Sequence, residues 1–249
     1  MSGPMHFNDR ADLYKTARPP YPAELWHRVR ATGLVGPGRR ALDLGAGTGE
    51  ATGPLLAEGM DVVAVEPGRD LAAILAARYP AADLLLSRAE DVELADSSFD
   101  LVVAATSIHW MNLDIVLPKV RRALVPEGRL LVWRNVFGDP SGATTAFRAE
   151  VARIVSRRPT ARAGKREDAA ATADMLTRTG LFSVDDVCAY RWSIQLDAEQ
   201  IHCLFSTFSD WTPREVAEAL AACRALGGQV VEHYRSWLIV ASPRHGSAR

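Results

Sequence analysis

The sequence has 249 residues, 48% of them hydrophobic, and its 29 basic and 30 acidic residues leave a net charge of −1. This supplies apolar material for a large buried core in one domain or two. The balanced charge gives no bulk electrostatic reason to bind nucleic acid or an acidic membrane surface. Cys188, Cys203 and Cys223 are an odd, scattered set without CxxC spacing. They read as small hydrophobes in a reducing compartment, with no disulfide framework and no metal site. No apolar run reaches 18 residues and no signal-like segment opens the chain, so the expectation is a soluble, cytoplasmic protein without a membrane partner.

In chain order, residues 1–22 form a polar, proline-rich arm containing Met5-His-Phe7, Tyr14 and Arg18-Pro-Pro-Tyr-Pro22. Consecutive prolines stiffen the approach to a helix over 23–32. After a loop over Gly33–Arg40 comes Ala41-Leu-Asp-Leu-Gly-Ala-Gly-Thr-Gly-Glu50, a buried strand running into glycines at 45, 47 and 49. Glycine lets a backbone turn tightly and approach a ligand without a Cβ in the way, and the helix that follows points unpaired N–H groups into the same space. Strand, glycine loop and helix make a nucleotide-binding unit of the doubly wound α/β type.

The spacing narrows the choice of ligand. A dinucleotide fingerprint, G-x-G-x-x-G, needs glycine at position 50, where this chain has Glu50. A pyrophosphate favours a helix N-terminus free of negative charge, yet Asp43 and Glu50 flank the loop. Acid here suits a ligand with cationic groups and no phosphate, such as S-adenosylmethionine. No Gly-Lys-Ser/Thr of the phosphate-loop kind follows. Pro54 falls near the first turn of the next helix, where it costs at most one backbone bond, and Gly59 is a C-cap. Asp61-Val-Val-Ala-Val-Glu-Pro67 then reads as a second short strand ending in Glu66, 23 residues past Asp43. An acid about 20 residues past the glycine loop is placed to accept hydrogen bonds from ribose hydroxyls.

An alanine-rich helix over Arg69–Tyr79 leads to a third strand, Asp83–Ser87, and the turn Arg88-Ala-Glu90. Phe99-Asp-Leu-Val-Val-Ala-Ala105 is the near-continuous apolar run of a central parallel strand. Ligands in such sheets lie outside the carboxyl ends of the strands, so Thr106, Ser107, His109 and Trp110 face the ligand. A helix over Asn112–Leu124, interrupted by Pro118, precedes a fifth strand, Arg129–Asn135, with Trp133, Arg134 and Asn135 on the active-site side.

Farther on, Ser141 is expected to cap a helix reaching Val155. Arg157, Arg158, Arg162, Lys165 and Arg166 make a basic stretch, usually a solvated loop and alternatively a cationic lid. Asp168–Thr179 reads as helix, stopped by Gly180. Val184–Leu196 and Val230–Ala241 alternate as strands, with two helices between them. Asp197 caps the first, and Thr212-Pro-Arg-Glu215 opens the second as a capping box with proline at its first position. Phe205, Phe208 and Trp211 give this pair an aromatic surface.

The ordered set Arg18-Pro-Pro-Tyr-Pro22, Leu42-Asp-Leu-Gly-Ala-Gly-Thr-Gly49, Ala64-Val-Glu-Pro67, Arg88-Ala-Glu90, Ser98-Phe-Asp100, His109-Trp110 and Leu124-Val-Pro-Glu-Gly128 covers about residues 10–135. It resembles the class I, seven-strand, S-adenosylmethionine-dependent methyltransferases, and within them the small-molecule branch related to trans-aconitate and juvenile-hormone-acid methyltransferases. The resemblance implies an α/β fold: one doubly wound, Rossmann-like methyltransferase domain over 1–249. Its parts are an arm and helix (1–32), a sheet core (33–196 and 229–243) and a helical cap between the last two strands (197–228). It implies cofactor contacts at Tyr14, Arg18, Asp43, Gly45, Ala46, Gly47, Thr48, Gly49, Glu66, Pro67, Ala89, Glu90, Thr106 and Ser107. Tyr14 lies near the methyl group, Arg18 near the methionine carboxylate, and the backbone of Ala89 and Glu90 near the adenine.

A substrate pocket is expected from Tyr21, His109, Trp110, Trp133, Arg134, Asn135, Phe205 and Phe208, with His109 as candidate base and no metal. The expected chemistry is transfer of the sulfonium methyl to a small molecule, a carboxylate or hydroxyl oxygen favoured, by a monomer or homodimer. Three rivals stand beside it. A nucleic-acid or protein methyltransferase is opposed by the charge balance and by the lack of Pro-Pro-Tyr after the fourth strand, where amino-group methyltransferases acting on DNA carry it. The others are a non-catalytic S-adenosylmethionine-binding module and, third, a dehydrogenase, which Glu50 disfavours.

Overall fold

The computed structural model describes residues 18–139, 141–159, 168–208 and 210–244. Seven strands form one sheet: β1 (Arg40–Leu44), β2 (Asp61–Val65), β3 (Asp83–Leu85), β4 (Phe99–Ala105), β5 (Leu124–Phe137), β6 (Phe182–Asp197) and β7 (Gln229–Pro243). Their order is β3-β2-β1-β4-β5-β7-β6. β1 to β5 run parallel, and β7 lies antiparallel to both β5 and β6. The order reverses between β1 and β4. This is the switch point where two successive crossovers leave the sheet in opposite directions and open a crevice at the strands' carboxyl ends.

The α-helices among the described residues are α1 (Ala23–Arg30), α2 (Thr52–Ala57), α3 (Arg69–Arg78), α4 (Leu113–Ala123), α5 (Ala146–Ser156), α6 (Ala169–Thr177), α7 (Ala198–Ser206) and α8 (Pro213–Ala225). Burial of both sheet faces accounts for the continuous apolar runs of β1, β2 and β4. On one face Val116, Leu117 and Val120 of α4 and Leu176 of α6 pack onto Val102, Leu130 and Trp237. On the other, Leu25 and Val29 of α1 and Leu55 of α2 meet Leu101, Leu131, Trp133 and Leu238. Pro118 does not break α4. It lies on the exposed side, and the buried apolar stripe holds the helix together despite the missing bond.

The expected capping box at Thr212 forms, and the expected Asp197 cap is a second such box. Asp197 pairs with Gln200 at α7 and Thr212 with Glu215 at α8, with Pro213 at the first position. Asp168 caps α6. The expected Ser141 cap does not form, because Ser141 bonds Asp139 in a local turn (backbone N–H 3.0 Å). Thr145 caps α5 instead, its hydroxyl accepting from the Arg148 N–H at 3.0 Å. The cap is also larger than residues 197–228. Phe147, Val151 and Ile154 of α5 share one buried cluster with Ile201, Leu204 and Phe205 of α7 and Val216, Ala219 and Cys223 of α8. Of the basic stretch, Arg157 pairs with Glu218 and Arg158 with Asp210 and Glu215, so these two tie α5 to the cap rather than forming a lid. Arg162, Lys165 and Arg166 lie outside the described residues.

β5 is longer than expected. It starts directly at the end of α4 and runs four residues past Trp133, the partner of Ala105 at the end of β4. β6, sixteen residues long, is the sheet's edge and is bulged between Val184 and Asp186. Trp133, expected on the pocket wall, is instead fully buried, its ring edge-on to Tyr21 (5.8 Å) and Trp26 (5.5 Å). The side chain points into the α1 face, so it anchors the arm to the sheet. Trp133→Ala is therefore expected to cost about 3–5 kcal/mol of stability, as deletion of a buried aromatic does. Urea unfolding measures it, and a loss below 1 kcal/mol would return Trp133 to the pocket.

Candidate active site

The glycine loop lies at the carboxyl end of β1. Gly45, Gly47 and Gly49 all have positive φ, at 69°, 58° and 93°, a region that L side chains resist. Their surroundings differ. A Cβ on Gly45 would lie 2.6 Å from the Ser107 Cβ, and one on Gly49 would lie 2.6 Å from the Tyr79 ring; Gly47 meets nothing within 4 Å. Gly45 and Gly49 thus serve internal packing, and Gly47 is the one whose bare backbone faces open space. The Gly45 and Ala46 N–H groups donate to the Val65 carbonyl (2.8 and 3.1 Å), lashing the loop to β2.

Glu66 completes this structure. Its Oε2 accepts from the Gly47 N–H (2.9 Å) and its Oε1 from the Gly68 N–H (2.8 Å). The side chain is 6% exposed. Burial raises its pKa, while the two amides oppose the rise. Each carboxylate oxygen keeps a second lone pair for a ligand hydroxyl. Pro67 follows it in the turn before α3.

Asp43 is wholly buried beneath the loop. Its Oδ2 accepts from the Thr52 hydroxyl (2.7 Å), and its Oδ1 has no hydrogen-bond partner. Burial first, with Glu50 and Glu66 adding, pushes its pKa to about 7 against the Thr52 bond. A buried acceptor without a donor is a costly arrangement that a cationic ligand relieves. The expected part for Glu50 is corrected. Its carboxylate takes the Thr48 hydroxyl (2.7 Å) and the Arg78 guanidinium (2.9 Å), so its charge is spent within the protein. Asp43 and Glu66 are the acids available to a cationic ligand.

Across the switch point, Ser107 donates to the Leu44 carbonyl at 2.5 Å, tying β4 to β1. Thr106 is held at φ 60°, a strained conformation for a β-branched residue, and its hydroxyl meets the Tyr21 hydroxyl at 2.9 Å. Asn135, expected in the pocket, is occupied as a clamp. Its Nδ2 donates to the Pro19 and Pro20 carbonyls (3.2 and 3.3 Å), and its Oδ1 accepts from Ser236 (2.6 Å), which in turn accepts from Trp192 (2.8 Å). The Pro-Pro-Tyr segment is therefore a strap pinned across the ends of β4 and β5.

Arg18 continues that strap, its guanidinium 5.0 Å from the Phe208 ring centroid in the cap. Phe205, expected as a substrate wall, is fully buried among Phe137, Phe147, Phe208 and Trp211, and so is cap core. Tyr14 lies outside the described residues. Ala89 is buried. The Glu90 carboxylate accepts from the Asn112 N–H (2.8 Å) and meets Arg88 at 3.4 Å. Burial pushes the Glu90 pKa up, but these partners outweigh it and the net shift is down.

His109 and Trp110 sit in a short 3₁₀ turn after β4, rings 4.9 Å apart. Arg134 Nη1 lies 3.1 Å from His109 Nδ1. Nη1 also lies 3.4 Å from Nε2, so the guanidinium stands beside both ring nitrogens.

Two groups near the cap were missed in the sequence: Glu232 of β7, 1% exposed, and Arg148 of α5, 3.8 Å from it. The available signal was an acid within the apolar alternation of Val230–Tyr234.

A methyltransferase-domain family profile matches residues 42–132. An uncharacterized methyltransferase of Mycobacterium tuberculosis is 41% identical over 132 residues, which are 53% of this chain and 53% of that protein. The chain spans about half the length of such relatives. A methyltransferase-like protein of Schizosaccharomyces pombe is 30% identical over 208 residues, covering 81% of this chain and 76% of the relative. Among solved structures, a Haemonchus contortus N-methyltransferase in complex with phosphomonomethylethanolamine and S-adenosylhomocysteine superposes with a TM-score of 0.58. It is 16% identical, covers 98% of this chain and 61% of its own, and bears on the fold alone.

The Asp43 geometry makes a signed prediction. Its folded pKa of about 7 lies above its ordinary value of 3.8. The folded state therefore holds a proton that the unfolded state loses, and stability falls as pH rises from about 4 to about 7. Asp43→Asn should flatten that slope, gaining on the parent protein at pH 7.5 relative to pH 5. Urea midpoints at the two pH values decide it, and parallel curves would place the Asp43 pKa in the ordinary range.

Proposed function

The chain belongs to the class I, S-adenosylmethionine-dependent methyltransferase family, and we propose that it transfers the methyl group to a carboxylate or hydroxyl oxygen of a small molecule. The observation that carries the small-molecule reading is the strap. Tyr21 bonded to Thr106, and Pro19 and Pro20 bonded to Asn135, cross the crevice at the ends of β4 and β5. A nucleic-acid duplex or polypeptide would have to displace these contacts, which a small acceptor need not do.

S-adenosylmethionine, when bound, supplies a sulfonium methyl whose leaving group is a neutral thioether, so no general acid is required. The residues present fit such a ligand. Gly47 presents bare backbone, Glu66 offers lone pairs to ribose hydroxyls, and Asp43 underlies the loop with an unpartnered oxygen for cationic charge. Thr106, Ser107, His109 and Trp110 border the crevice beside the strap. Rate then comes mainly from holding the acceptor oxygen in line at near-contact distance and excluding water.

A carboxylate acceptor is already a nucleophile and needs no base. A guanidinium beside both ring nitrogens of His109 places a cation where a proton taken from the acceptor would have to sit, which supports a role in orienting an oxygen over one in taking its proton. His109→Ala is expected to lower kcat by no more than about tenfold. A loss of 10²–10⁴, the range of general-base removal, would identify a hydroxyl acceptor and a catalytic base.

The cofactor assignment is tested by thermal unfolding with S-adenosylhomocysteine. Saturation at about 100 times Kd stabilises by about 2.7 kcal/mol, roughly 5–10 °C for a chain of this size. Glu66→Ala should abolish most of the shift and Glu50→Gln little of it. A shift with NAD in place of S-adenosylhomocysteine would overturn the reading.

A further inference from the structure

Beyond the crevice lies a cavity of about 220 Å³ lined by Gly138, Asp139, Thr144, Thr145, Arg148 and Glu232 among others. It sits just past the end of β5, four residues and so roughly 13 Å beyond the level of Ala105 at the end of β4. The site of methyl transfer does not use it.

Its chief donor is Arg148, whose side chain is 26% exposed. The Arg148 guanidinium carbon sits 4.2 Å from the Phe137 ring centroid, and its one ionic contact among the described residues is with Glu232 at 3.8 Å, beyond hydrogen-bond reach. Gly138, at φ 78°, leaves it room, since a Cβ there would overlap Arg148. The 11-residue helix α5 begins at the cavity wall, adding the positive end of its dipole beside Thr144 and Thr145. Behind these donors two buried side chains are unsatisfied, Glu232 through its Oε1 and Tyr234 through its hydroxyl. The remaining charged and titratable groups are already partnered. Asp139 pairs with Arg191 (3.2 Å), and His233 bonds Ser193 (2.7 Å). Arg18, which acts on Tyr234, stacks on Phe208.

We propose that this cavity holds a second, non-reacting carboxylate of the methyl acceptor, gripped by Arg148 and the N-terminus of α5, with Glu232 protonated in the complex. The inference rests on the methyltransferase reading for the word acceptor, but the binding event stands apart from it. Burial holds the Glu232 pKa at about 7 against the pull of Arg148. An incoming carboxylate disfavours the ionised acid still further, so binding takes up a proton. Affinity must then rise as pH falls through neutrality. A site built for an ammonium group would show the opposite sign.

The test uses three probes of one chain length, hexanoate, hexylammonium and hexanol, titrated calorimetrically into the full chain at pH 6 and pH 8. Hexanoate is expected to bind best, and about tenfold more tightly at pH 6 than at pH 8, as one linked proton of that pKa requires. Glu232→Gln should bring the pH 8 affinity up to the pH 6 value and remove the pH dependence. Arg148→Met should weaken binding at least tenfold at both pH values. Preference for hexylammonium, a reversed or missing pH slope, or no saturable hexanoate binding would each overturn the proposal. Should either variant fail to fold, the slope and probe order in the parent protein still decide. The S-adenosylhomocysteine shift, measured on the same samples, reports on the methyltransferase reading separately, because neither variant touches the glycine loop.

Discussion

One carboxylate holds the nucleotide end of this protein together. Glu66 closes a bridge between the Gly47 amide, at the tip of the loop after β1, and the Gly68 amide, at the start of α3. Three left-handed glycines cost conformational entropy, and a loop so built needs an anchor to adopt one shape. Glu66 supplies it from below, and the Val65 carbonyl supplies it from the side. The residue suited to read a ribose is therefore also the one that sets the loop's shape. Binding and architecture cannot be separated at this position by simple deletion.

Much of this was legible because it is local. Glycines at 45, 47 and 49, an acid 23 residues past Asp43, and the apolar runs of β1, β2 and β4 are dictated by neighbouring residues and by burial on both faces. The Asp197 cap and the Thr212–Glu215 capping box are legible for the same reason, since each closes within four residues. The misreadings share the opposite property. Glu50 is neutralised by Arg78, 28 residues away. Trp133 turns inward because Tyr21 and Trp26 come from the far end of the chain to meet it, and Asn135 is claimed by Pro19 and Pro20. In each case a side chain bordering the candidate active site was assigned to a ligand, and the protein itself supplied the partner.

The cap follows a different logic from the sheet. α5 comes from the β5–β6 connection and α7 and α8 from the β6–β7 connection, yet their aromatic and aliphatic side chains form one cluster that includes Phe205. Ion pairs from Arg157 and Arg158 fasten α5 to its neighbours. Such a unit has its own core and meets the sheet mainly along the outer halves of β5, β6 and β7. Variation in the loop over 138–145 could alter the chamber between cap and sheet without disturbing the loop that holds the nucleotide.

The bulged strand β6 carries a further consequence. As the outermost strand of the sheet it offers a sixteen-residue row of backbone donors and acceptors along one side, the geometry that templates strand addition and fibrillar growth. Its irregularity between Val184 and Asp186 twists one end of that row out of register. Asp185 and Asp186 are drawn to Arg129 and Arg28, and Arg191 reaches Asp139. Any chain adding to this border would have to match a kinked ladder and displace charges held by other elements. The protein thus keeps a long open margin while making it a poor seed for aggregation.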